Sequence, residues 1–116
     1  TNNDYAPSQY MIGLMYHQGH GVAINFERAR LWFLKAAKQG YANAQFMYAY
    51  MIQSGEGEKS DPSRAMVWAL VAEMNGKTDS VAITVPASMT MSELEVNTAE
   101  KIANECFQSN YQNCPD

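Results

Sequence analysis

Two histidines, two cysteines and a pair of loop carboxylates are the side chains whose spacing bears on chemistry. His17 and His20 stand three apart across a helix end and a glycine loop, and two imidazoles are half of a four-ligand metal site. No Asp, Glu or Cys in the local sequence completes the set, so the pair reads as loop decoration and no metal is expected. Glu56 and Glu58 flank Gly57 in a short loop, where water solvates them and nothing holds them for acid–base work. The chain has no glycine-rich phosphate loop, no G-x-S-x-G elbow and no H-E-x-x-H pair. Neither catalysis nor a cofactor is expected.

Cys106 and Cys114 are the only cysteines, and both sit near the C-terminus. Paired, they close a short loop that ties the tail back onto the preceding helix, a staple of about 2–3 kcal/mol at most. The alternative is a buried Cys106 beside an incidental free Cys114. No Cys-x-x-Cys or Cys/His spacing points to zinc. A disulfide implies a periplasmic or secreted setting; two free thiols leave the cytoplasm open.

What must position these groups is a chain of 116 residues, 47% hydrophobic and 17% charged, which suffices for one domain or a few repeat units. That apolar fraction excludes a disordered tail, and no apolar run is long enough to span a bilayer. The net charge of −4 argues against nucleic acid as the partner, because phosphate binding needs clustered Lys and Arg. Residues 1–40 carry Arg28, Arg30, Lys35 and Lys38 against Asp4 and Glu27, whereas 41–116 carry four basic residues against ten acidic ones. Such an asymmetry orients an approaching partner.

Self-similarity organises the chain. A shift of 36 residues brings Ala6 onto Ala42, Gln9 onto Gln45, Gly19 onto Gly55, Gly21 onto Gly57 and Ala29 onto Ala65. Trp32 then falls on Trp68, Ala36 on Ala72, Gly40 on Gly76, and Asn25 on Asp61. Each unit reads as two helices joined by a glycine loop: 7–17 and 26–39, then 42–53 and 62–75. Asn25 and Asp61 are the expected N-caps of the second helices, with Pro62 at the first helical position. Ala29, Trp32 and Ala36 form one expected buried stripe, and both tryptophans are expected in the core. A third unit decays: a helix over 81–87 that Pro86 ends or kinks, then a helix over 91–109 opened by a capping box at Thr90 and Glu93. Residues 77–116 thus read as a C-terminal cap, beyond repeat one at about 5–40 and repeat two at about 41–76, all within a single domain over 1–116. The N-terminus reads as cut: either a mature chain begins here or upstream repeats precede it.

The run Gln9, Gly13, Tyr16, Gly19, Gly21, Val22, followed by Ala29, Trp32, Lys35, Ala36, Ala37 and Gly40, resembles the Sel1-like repeat. Ala42, Ala44, Gln45, Gly55, Gly57, Ala65, Trp68, Ala72 and Gly76 repeat the match, so the resemblance covers about 5–76. Met89, Thr90, Glu93 and Leu94 resemble the closing helix of some bacterial members. The second unit departs from the pattern where Gly13 is matched by Ala49, Tyr16 by Ile52, Val22 by Glu58 and Lys35 by Val71. The resemblance implies an all-α, right-handed α/α superhelix of helix pairs, closed by a C-terminal capping helix pair and used as a scaffold for protein–protein contacts. Many bacterial members are exported.

Stacked helix pairs place their first helices on the concave side. The period-matched positions there are Tyr10 with Phe46, Met11 with Met47, Leu14 with Tyr50, and His17 with Gln53. Helices this apolar all round are buried on several sides or present an apolar groove. Tyr, Phe and Met suit a groove that accepts an extended peptide or an amphipathic helix. The expectation is a partner protein or peptide bound through Tyr10, Met11, Leu14, His17, Phe46, Met47 and Tyr50. The alternative is a structural fragment whose ends stack on further repeats or on another copy.

Overall fold

The computed structural model describes residues 5–55 and 60–115. Gly57, with Glu56 and Glu58, lies outside the described residues. The described elements are helices only: α1 (Ala6–Gln18), α2 (Phe26–Ala37), α3 (Ala42–Ser54), α4 (Pro62–Met74), α5 (Val81–Met89, entered through a 3-10 turn at Thr78–Ser80) and α6 (Glu93–Gln108).

Local chemistry sets the ends of these helices. The Asn25 carboxamide oxygen accepts from the Arg28 N–H at 3.0 Å, and the Asp61 carboxylate accepts from the Arg64 N–H at 3.2 Å. Each satisfies an N–H that the first helical turn leaves without a partner. Gly19 (φ 76°) and Gly55 (φ 79°) end α1 and α3 in the left-handed conformation, which L side chains adopt only with strain. Gly40 and Gly76 close the two repeats, also at positive φ. The capping box of α6 is not Thr90 with Glu93. Ser92 and Glu95 form it, each side chain bonded to the other's backbone N–H at 3.1 and 2.8 Å. Thr90 instead donates its hydroxyl to the Ala87 carbonyl and closes α5. Both registers have the right spacing, and the two-residue turn after α5 selects the later one. Pro86 lies inside α5, which ends three residues later, so its missing N–H disturbs a single turn.

Helices α1 and α2 pack as one pair and α3 and α4 as the next, with α3 also lying against α2. A side-chain bond to a buried glutamine recurs with the repeat. The Gln39 amide donates to the Gln9 side chain at 2.8 Å, and 36 residues later the Asn75 amide donates to Gln45 at 2.9 Å. Gln45 also donates to the Ala37 carbonyl, joining the second repeat to the first. Such a group is tolerated in a core only because its hydrogen bonds are made.

Gly13 marks the closest approach of α1 to α2. A Cβ there would sit 2.6 Å from the Phe33 ring, and Phe33 is fully buried. In the second repeat the counterparts are Ala49 and Ala69, both fully buried. The methyl gained on the first helix is balanced by the ring lost from the second, so the departure at Ala49 preserves the packing.

The tryptophans are not equivalent. Trp68 is fully buried, meets Tyr48 edge-on at 5.5 Å and donates its indole N–H to the Pro115 carbonyl at 2.6 Å. Trp32 is only half-buried, with the Lys35 ammonium 4.5 Å above its ring. The expected buried stripe of α2 therefore holds Ala29 and Ala36 but not Trp32; Phe33 is the ring that fills the core. The reason lies at the C-terminus. α5 and α6 both pack against α4, and no described element covers α2 in the same way. Lys35 suits the open face and Val71, its fully buried counterpart, suits the covered one. Ala65 and Ala72 are fully buried, like Ala29 and Ala36.

Candidate functional site

The first helices carry a periodic row of rings. Tyr10 is half-buried, 5.7 Å from the Phe33 ring and 5.4 Å from that of Tyr41. Burial raises the Tyr10 phenol above its ordinary value, and the neighbouring Tyr41 phenol adds to the shift. One repeat on, Phe46 takes the place of Tyr10 and Lys77 that of Tyr41, with the ammonium 5.3 Å from the Phe46 ring centre. Tyr41 and Lys77 were missed by the reading of the first helices alone. Each directly follows the glycine that closes a repeat, Gly40 or Gly76, and that shared register is the signal that finds them.

His17 bridges the two repeats. Its ring lies 5.5 Å from Phe26, 6.3 Å from Phe33 and 6.5 Å from Tyr50 of α3. Leu14 and Met47 are half-buried against the core, while Met11 is 56% and Tyr50 43% exposed. The seven expected residues thus divide. His17 and Tyr50 are brought together, Tyr10 and Phe46 join Tyr41 and Lys77, Leu14 and Met47 support the row, and Met11 stands in solvent. The surface is aromatic, with one ammonium at its edge, and can receive apolar side chains and accept or donate a few hydrogen bonds. Among the described residues no three His, Cys, Asp or Glu side chains converge as metal ligands. No described helix is long and apolar enough to cross a membrane.

The same 36-residue unit, with its matched glycines, caps and glutamine bonds, recurs in sequence comparison. Residues 6–41 and 42–77 each match the Sel1 repeat. The chain belongs to the Sel1 repeat family. Sel1 repeats usually act as protein–protein interaction scaffolds and the fold is typically non-catalytic. Two solved structures are similar to this Sel1-repeat chain. One is a protective antigen of uropathogenic Escherichia coli with an SLR fold, at TM-score 0.84 and 23% identity over 93% of this chain. The other is a Sel1 repeat protein from Oxalobacter formigenes, at TM-score 0.66 and 22% identity over 89% of this chain. At these identities the likeness is one of fold, an all-α solenoid. The chain spans 23% of the first protein's length and 44% of the second's. No curated protein matches the chain in sequence.

Cys106 and Cys114 form a disulfide that ties the tail to α6. The pair is compatible with an extracytoplasmic location.

Proposed function

We propose that this Sel1-repeat domain binds a partner protein through an extended or helical segment laid along the first helices, in an oxidising compartment such as the periplasm. The observation that supports this most is the repeated ring register, Tyr10 with Tyr41 and Phe46 with Lys77. It places half-buried aromatic area at matched intervals without filling the core. Aromatic anchors of this kind carry most of the energy in peptide grooves, because they bury large area at small entropic cost. Neither α1 nor α3 carries a carboxylate, and the Lys77 ammonium stands beside Phe46, which favours an apolar segment with an acidic flank.

Selection of displayed peptides on the oxidised domain tests the reading. Tyr50→Ala is expected to weaken the selected peptides by at least tenfold, on the order of 1.4 kcal/mol or more. Leu31→Ala, on the exposed face of α2, leaves them unchanged. Loss of binding in Leu31→Ala with retention in Tyr50→Ala would move the site to the other helix layer.

A second reading, stacking through the N-terminal end, has its own support. Ala44, Tyr48 and Met51 are buried in α3, which lies against α2. Their counterparts in α1 are Ser8, Ile12 and Met15, and Met15 is 39% exposed where Met51 is fully buried. The matched α1 positions are thus less covered than those of α3, and no described helix precedes α1. On this reading, sedimentation of the isolated domain shows a mass that rises with concentration from one chain to two, and Met15→Glu holds it at one. A single-chain mass across the whole concentration range removes self-stacking.

A further inference from the structure

The segment after α6 touches both repeats and is tied covalently to α6. The backbone turns through Asn110 (φ 58°) and Tyr111 (φ 67°), two successive non-glycine residues in the left-handed region, a conformation such residues adopt only when their surroundings compensate. The Tyr111 ring lies against Gly40 at the end of the first repeat, where an added Cβ would approach it to 3.0 Å. Its hydroxyl accepts from the Asn75 amide at 3.0 Å, extending the Gln45–Asn75 bond of the second repeat outward. Farther on, the Pro115 carbonyl accepts the Trp68 indole N–H. Cys106 on α6 is fully buried, Cys114 is half-buried, and their disulfide closes the loop. The caps of α2 and α4 come from Asn25 and Asp61, so those helices do not draw on this segment for their N-terminal hydrogen bonds.

The geometry points to a redox-operated latch: reduction of Cys106–Cys114 by a dithiol releases residues 109–115 and frees the Trp68 indole N–H to solvent, while α6 stays packed on α4 and both repeats stay folded. The step balances. A thiolate of the reductant attacks the sulfur of Cys114, the less buried of the two, and the S–S bond breaks, with Cys106 leaving as thiolate and taking up a proton. The second thiol of the reductant then displaces Cys114, so the dithiol becomes a disulfide and two protons and two electrons reside on the cysteines. Without the bridge the segment keeps the Tyr111 N–H bond to the Cys106 carbonyl, the Phe107–Tyr111 ring contact and the Asn113 N–H bond to Ser109. It also keeps the contacts of Tyr111 and Pro115 with the repeats, and the ordering entropy of the longer open chain opposes all of these. The latch does not rest on the docking surface proposed on the first helices.

The test compares the whole chain before and after dithiothreitol, with thiols counted by alkylation and mass. Solvent exchange of the two indole N–H groups is followed by NMR, Trp32 serving as internal reference, together with helical circular dichroism. Reduction is expected to speed Trp68 exchange by at least about tenfold, as local opening does, with Trp32 exchange and helix content unchanged. Cys114→Ser reproduces that behaviour without reductant. Unchanged Trp68 exchange with both cysteines alkylated overturns the latch. So does loss of helix content on reduction, which makes the bridge a staple of the whole fold, and so does a disulfide that dithiothreitol does not reduce in the folded chain.

Discussion

Trp68→Ala lowers the unfolding free energy by about 3–5 kcal/mol, and Trp32→Ala, at the matched position one repeat earlier, by only about 1 kcal/mol. The contrast follows from what covers each ring. Trp68 is fully buried, held edge-on by Tyr48 and hydrogen-bonded through its indole, so truncation opens a cavity and strands the Pro115 carbonyl. Trp32 rests on the open face of α2, where its main specific contact is the Lys35 ammonium. Cation–π contacts at exposed sites contribute about 0.5–1 kcal/mol, and water can occupy the space that truncation leaves. Urea unfolding of the oxidised domain checks both values. Equal losses in the two variants would mean that Trp32 is covered in solution as Trp68 is.

Gly13→Ala destabilises by about 1–3 kcal/mol in the native background, although alanine is the better helix former. The Phe33 ring stands 2.6 Å from the added methyl and has little freedom to turn away, because it is fully buried with Tyr10 and His17 against it. Phe33→Ala alone costs about 3–5 kcal/mol. In that background Gly13→Ala becomes neutral or stabilising by up to about 1 kcal/mol, since the clash is gone and the propensity gain remains. The second repeat already has this combination at Ala49 and Ala69. A double-mutant cycle read by urea unfolding decides the matter, and equal destabilisation by Gly13→Ala in both backgrounds would falsify the steric account.

The elements of this chain were largely legible in its sequence, and the relations between them were not. Asn25 and Asp61 announce their helices because a cap bonds to an N–H three residues on, a contact that needs no tertiary partner. Gly19 and Gly55 are equally local, since backbone sterics within one turn select them. The capping box misread at Thr90 is instructive: Thr90–Glu93 and Ser92–Glu95 share one spacing, and the choice depends on how α5 closes. On the candidate surface, Tyr10, Phe46, His17 and Tyr50 were found from periodicity. Tyr41 and Lys77 were not, because they lie at the repeat junctions, outside the helices whose periodicity places the other four.

The 36-residue period, the helix pairs, the matched glycines and the polar register of Gln9 and Gln45 were set by the sequence alone. Local propensity and periodic burial are properties of neighbouring residues. The unequal fates of Trp32 and Trp68, and of Lys35 and Val71, were decided only by the tertiary structure. Burial depends on what lies across the helix, and here that is α6 and a disulfide-held tail returning more than forty residues later to cover one repeat and leave the other open.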